Sequence, residues 1–266
     1  MTTIVNMDNE YTGSTRWPDL VVNKISLTEP FVWLKKGWDD FLKVKSYSLR
    51  YAAFFVFISC LITVTTLMTG NHFLLIFLFA GFFLVAPSIG IGLYQMSAFL
   101  EKNEPLKKCN AWEAFKQNQG QISMVTGGFF IILQLWVSMN FVLFALLYNG
   151  ISPPLDNFFS NLYFSQEGKY FAIASVSLGF LFALTAFSIS AITVPMLIDK
   201  KVDGFTAIRL SIKSVLNNFK AMMLWAFLIV AIVGFGLITF YIGLLIALPV
   251  IGHASWHAYK SLVPSD

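Results

Sequence analysis

The stretch from Ala221 to Tyr259, AMMLWAFLIVAIVGFGLITFYIGLLIALPVIGHASWHAY, contains no Asp, Glu, Lys or Arg. A single helix of that length would run ~58 Å at 1.5 Å per residue, about twice the ~30 Å of hydrocarbon in a bilayer. Two spans joined by a tight turn fit better, and Gly234, Gly236 and Gly243 bracket the turn. A long helix followed by a re-entrant segment is the alternative.

Working outward, the same kind of sequence recurs. We read spans at Ser48–Met68, Phe73–Leu100, Ile122–Tyr148, Phe171–Ile198, Ala221–Thr239 and Phe240–Ala258. None contains Asp or Glu, and Arg50 is their one basic residue. Each meets or approaches the ~20 residues that a helix needs to cross a membrane. Composition agrees: 12% of residues are charged, against about 25% in soluble domains, and 57% are hydrophobic, with 28 Phe. In water those rings would cause aggregation, whereas in lipid they are ordinary surface. The expected fold is therefore all-α and integral to a membrane, with six transmembrane helices forming three hairpins.

The net charge of +4 does not indicate nucleic acid, because no basic patch is interleaved with exposed aromatics and no nucleic-acid motif appears. Its placement reports topology instead. Of the 18 Lys and Arg, the connections at 69–72 and 239–241 hold none, and the connection at 149–170 holds only Lys169. All the others fall in the N-terminal region (counting Arg50 at the very start of the first span), the 101–121 loop, the 199–220 loop and the C-terminal tail. The positive-inside rule makes these segments cytoplasmic, so both termini face in and the span count is even. The polar N-terminus carries no secretory signal. Cys60 and Cys109 sit apart and make neither a disulfide nor a zinc pattern.

Each hairpin is preceded by an amphipathic segment. Phe31, Leu34, Trp38, Phe41 and Leu42 recur at helical spacing, with Lys35, Lys36, Asp39, Asp40 and Lys43 between them. Phe205, Ile208, Ile212, Val215, Leu216 and Phe219 form a stripe opposite Arg209, Lys213, Asn217 and Asn218. The middle segment is shorter: Trp112 and Phe115, with Asn110 and Glu113 at capping-box spacing. Basic amphipathic helices beside a membrane lie in its headgroup layer. Pro87, Pro195 and Pro249 each sit near the cytoplasmic end of a returning span. After Pro87 the chain reads SIGIGLY, and after Pro249 VIGHASW, so Ile89 matches Ile251, Gly90 matches Gly252 and Tyr94 matches Trp256. We therefore divide the chain into a flexible N-terminus (1–26), a membrane domain (27–262) and a tail (263–266). The membrane domain holds related repeats at 27–101, 110–200 and 203–262, related by an axis along the membrane normal.

Little chemistry remains. His253 and His257, four residues apart, share one helix face and are the ionisable pair of the last span. They are candidates for haem or metal. A bis-histidine haem needs a partner on another helix, however, and His72 falls on the opposite side of the membrane. Zinc needs three or four ligands. Packing with both imidazoles hydrogen-bonded to neighbouring helices is the simpler reading, with Trp256 and Tyr259 as interfacial anchors. No nucleophile elbow, phosphate loop or H-E-x-x-H occurs, and the absence of intramembrane carboxylates argues against ion-coupled transport. Gln134 and Asn140 in the third span, and the small and hydroxylated residues of the fourth, read as helix-packing groups rather than a solute path. The aromatic loop at 150–170 reads as an outer interfacial cap.

Four segments carry a family resemblance: SLTEPFVWLKKGWDDF (Ser26–Phe41), VPMLIDKKVD (Val194–Asp203), Ala207–Ser211, and PVIGHASWHAYK (Pro249–Lys260). Over about residues 20–263 the chain resembles a family of bacterial predicted integral membrane proteins known only as a domain of unknown function. The resemblance implies a bacterial inner-membrane location and six spans, supplies no activity, and places His253, Trp256, His257 and Tyr259 in the family's signature. The resulting expectation is a non-enzymatic accessory or scaffolding subunit, partnered by the lipid bilayer and by a membrane complex such as a respiratory one, without cofactor. The alternatives are a small-solute transporter or channel, and a haem or metal redox protein using His253 and His257.

Overall fold

A computed structural model describes residues 21–70, 74–106, 109–147 and 165–264. The expected features at 1–20, at His72, over most of the 150–170 loop and at the last two residues lie outside them. Among the described residues the chain forms helices and no strands. They are α1 (Glu29–Lys43), α2 (Lys45–Met68), α3 (Leu74–Ile89), α4 (Ile91–Glu101), α5 (Ala111–Gln117), α6 (Gln119–Leu147), α7 (Gln166–Ser190), α8 (Thr193–Asp199), α9 (Gly204–Asn217), α10 (Phe219–Ile238) and α11 (Leu244–Leu262).

Four stretches are long and apolar enough to cross a membrane by length and composition: Lys45–Met68, Gln119–Leu147, Gln166–Asp199 and Phe219–Ile238. Two of the six expected spans behave differently. The second divides into α3 and α4. The last, α11, is wrapped by protein, with every residue from Ala247 to Trp256 buried. A helix covered by other helices need not carry a lipid-compatible surface of its own.

The Ala221–Tyr259 run resolves into α10 and α11, joined by a tight turn at Thr239–Gly243. Phe240 and Tyr241 both take left-handed backbone, with φ of 53° and 65°. The Thr239 hydroxyl accepts from the Gly243 N–H at 3.0 Å. Gly236 and Gly243 meet so closely that a Cβ on Gly243 would lie 2.9 Å from the Cα of Gly236. Glycine at both positions lets the hairpin close.

Two of the three returning helices break close to their proline, Pro87 or Pro195, and each break is bridged from a neighbour. Proline lacks an N–H and its ring clashes with the carbonyl four residues back. Downstream of Pro87, α3 gives way to α4 at Gly90. There the Tyr51 hydroxyl of α2 donates to the Ile89 carbonyl (2.8 Å) and accepts from Gly92 N–H (3.2 Å). At the α7–α8 break just before Pro195, Ser211 of α9 donates to the Ser188 carbonyl (2.8 Å) and accepts from Ile192 N–H (3.4 Å). Pro249 stays within a continuous α11.

The neighbours do not follow a simple row of hairpins. Helix α3 packs more closely on α6 than on α2, with Ser88 and Thr126 hydroxyls 2.8 Å apart. Helix α2 runs antiparallel along α11, since Ser48 meets His253 at one end and Thr63 meets Tyr241 at the other. The segments read as basic and cytoplasmic gather at one end of the bundle. Asn118 donates to the Leu197 and Val202 carbonyls. Gly204 donates to Gln121. Asn218 holds the backbone of Asn23 and Ile25, and Asn23 in turn holds Leu262.

Candidate functional site

The site grows from a close helix crossing. On α1, Pro30, Trp33, Gly37, Asp40 and Phe41 face inward. A Cβ on Gly37 would lie 2.6 Å from the Ala254 nitrogen and 2.7 Å from the Val250 oxygen, so α1 rests on the backbone of α11 itself. One turn further along α1, this contact carries Asp40 into the interior opposite His253 and His257. Helix α4 reaches the same region with Leu93 against Gly252, and brings Ser97.

The polar groups form one connected chain. Asp40 Oδ2 lies 2.8 Å from His257 Nε2 and accepts from Ser97 Oγ at 2.9 Å. Ser97 Oγ lies 2.8 Å from His253 Nδ1, and His253 Nε2 lies 2.9 Å from Ser48 Oγ. An ionised carboxylate only accepts, so Ser97 spends its single proton on Asp40 and must accept from His253 Nδ1–H. In the neutral ring, Nε2 then accepts from the Ser48 hydroxyl. Helices α1, α2, α4 and α11 are thereby linked in one direction: Ser48 to His253 to Ser97 to Asp40. His257 donates to the same carboxylate from the other side.

Asp40, Ser48, Ser97 and His253 are buried, and His257 is partly exposed. Burial alone raises the pKa of the Asp40 carboxyl. The hydrogen bond and charge of His257, with the Ser97 hydrogen bond, outweigh it and hold the group below its ordinary value. Lys43, 3.7 Å from Asp40 Oδ1 and exposed, adds little. Both ring nitrogens of His253 are engaged by serine hydroxyls, so an incoming ligand would have to displace one. Among the described residues, no group of three or more His, Cys, Asp and Glu is placed to hold a metal ion.

The signature tryptophan and tyrosine belong to a second cluster at the same end. Trp256 Nε1 donates to Glu101 at 3.1 Å, and Tyr259 Oη donates to Asp199 at 2.8 Å. Lys260 bridges the two acids, 3.4 Å from Asp199 and 3.6 Å from Glu101. These contacts tie α11 to the ends of α4 and α8. A polar cleft of about 260 Å³ opens beside them, lined in part by Gln95, Glu104, Glu113 and Lys102.

The remaining sequence candidates lie elsewhere. Asn140 is buried between α6 and α7, donating to the Trp136 carbonyl and accepting from Ser175. Gln134 is on the exposed side of α6, 3.3 Å from Ser138. Pro87 and Pro195 mark the helix breaks. Pro249 lies on α11 beside the Gly37 crossing. Sequence reasoning missed Asp40, Ser97 and Ser48. In the sequence Asp40 stands with Lys35, Lys36, Asp39 and Lys43 between the apolar positions, yet its register with Trp33, Gly37 and Val44 is that of the buried face.

Residues 74–199, slightly less than half of the chain, match the model of a family described as a predicted integral membrane protein (DUF2189). No curated protein and no solved structure matches the chain. The match supports an integral membrane protein and brings no activity with it. It ends before the histidine-bearing motif of α11.

Proposed function

We propose that this is a non-enzymatic, multi-pass protein of the bacterial inner membrane, with six crossings and both termini cytoplasmic, serving as an accessory or scaffolding subunit of a membrane complex. The observation that carries this reading is the closed character of the Ser48–His253–Ser97–Asp40–His257 chain. Its inner members are buried and hydrogen-bonded to one another. Such a network fixes helices, and offers a substrate neither a nucleophile nor an open coordination position. Engagement of both His253 nitrogens favours this role over haem ligation. The burial of Asn140 against Ser175 favours helix packing over a solute path. Abundant exposed apolar side chains on α2, α6, α7 and α10 provide lateral surface for lipid or a partner.

The test is the native mass of the full chain extracted in mild detergent from its own membrane. A defined partner in fixed stoichiometry is the expected result. A lone monomer under conditions that preserve known membrane complexes would contradict the reading.

A further inference from the structure

Helix α1 has three sectors, not two. At 100° per residue, Trp33, Gly37, Asp40 and Val44 point into the bundle. Phe31, Trp38 and Leu42 form a second line about 150° away, nearly opposite the bundle, and all three are exposed, at 52%, 43% and 51%. Lys35 lies in that same line, and Lys36, Asp39 and Lys43 occupy the third sector. Helix α9 repeats the arrangement. Gly204, Ala207, Ser211 and Ser214 face the bundle, Phe205 and Leu216 are exposed at 64% and 68%, and Arg209 borders them. Phe219 and Lys220 continue this surface at the start of α10.

The two helices are neighbours through Asn218, which follows α9 and holds the backbone of Asn23 and Ile25 just ahead of α1. A third, shorter helix, α5, exposes Trp112 with the Lys116 ammonium over its ring at 5.5 Å.

Water does not suit an exposed Phe–Trp–Leu line, and the hydrocarbon interior does not suit lysines at its edge. The layer that satisfies both is the boundary between acyl chains and headgroups. The excess of Lys and Arg over acids along that boundary selects the headgroup charge. The geometry points to a seat for anionic phospholipid: acyl chains against Phe31, Trp38, Leu42, Phe205 and Leu216, and phosphates met by Lys35, Lys36, Lys220 and Arg209. This inference requires that the chain sit in a bilayer, and is independent of whether it joins a complex.

The test reconstitutes the full chain in vesicles containing brominated phosphatidylglycerol or brominated phosphatidylcholine and compares tryptophan quenching. The native chain should prefer the anionic lipid by about fivefold, the attraction expected of one well-placed basic residue. The preference should fall toward one in Lys35→Gln/Lys36→Gln/Lys220→Gln, persist in Lys35→Arg/Lys36→Arg, and persist in Lys169→Gln at the other end of the bundle. High salt should weaken it in the unmodified chain, which keeps the test decisive if the triple variant fails to fold. Equal quenching by the two lipids, no effect of the triple substitution, or an equal effect of Lys169→Gln would overturn the inference.

Discussion

The α-carbon of Gly37 faces the Val250 carbonyl and the Ala254 amide so closely that no side chain fits between α1 and α11. The obstacle is backbone, not a flexible side chain that could move aside. Gly37→Ala should therefore push the helices apart and cost about 1–3 kcal/mol, although alanine favours the helix itself. A lowered thermal midpoint in detergent is the expected result. An unchanged or raised midpoint would mean that the helices do not cross there.

The Asp40 carboxyl gives a pH signature. Its folded-state pKa is lowered, so the stability it contributes is fully present above its ordinary value of 3.8 and is lost as pH falls through the lower folded value. Asp40→Asn should cost on the order of 1–3 kcal/mol at pH 7, where a buried charged hydrogen-bond partner is lost. The gap between native and variant proteins should persist at pH 5 and close below about pH 4. Chemical denaturation followed across that range checks it, and a gap that widens toward acid would reverse the sign.

The bridged helix breaks should behave alike although they lie in different parts of the chain. Tyr51→Phe leaves the Ile89 carbonyl and Gly92 N–H without their shared hydroxyl, and Ser211→Ala does the same for Ser188 and Ile192. Each should cost about 1–2 kcal/mol, with faster amide exchange at Gly92 or Ile192. A loss of stability without that local exchange signature would place the role of the hydroxyl elsewhere.

Cys109 lies in the loop after α4, where burial pushes its thiol up to about 11. Alkylation proceeds through the thiolate. At pH 8 it should therefore be slow compared with a solvent-exposed cysteine, and should still be gaining rate above pH 9. Peptide masses after timed iodoacetamide exposure provide the readout. Rapid labelling at pH 7 would show that the loop does not cover the thiol.

Much of this arrangement is legible locally. The α10–α11 turn follows from Gly236 and Gly243, because turn chemistry is a property of a few neighbouring residues. Pro87 and Pro195 announce helix breaks, although the first falls three residues downstream, at Gly90, where the backbone can change direction. The basic segments meet at one end, as the charge count requires. Burial by protein rather than by lipid is not legible. Helix α11 is covered by α1, α2, α4 and α10, and composition alone cannot distinguish that cover from hydrocarbon. Asp40 was obscured for a related reason: a charge on an amphipathic helix reads as solvated until a partner 217 positions away is brought beside it. Ser48 and Ser97 carry no local mark separating them from packing hydroxyls.

The central claim is that the Ser48–His253–Ser97–Asp40–His257 chain clamps helix α1 onto α11. Its most direct test is hydrogen–deuterium exchange of the full chain in detergent, comparing the native protein with His253→Ala. The account predicts that α1 amides from Trp33 to Lys43 lose protection by an order of magnitude or more, while α6 and α7, outside the network, are unchanged. Unaltered protection in α1, or a uniform loss over all helices, would contradict it.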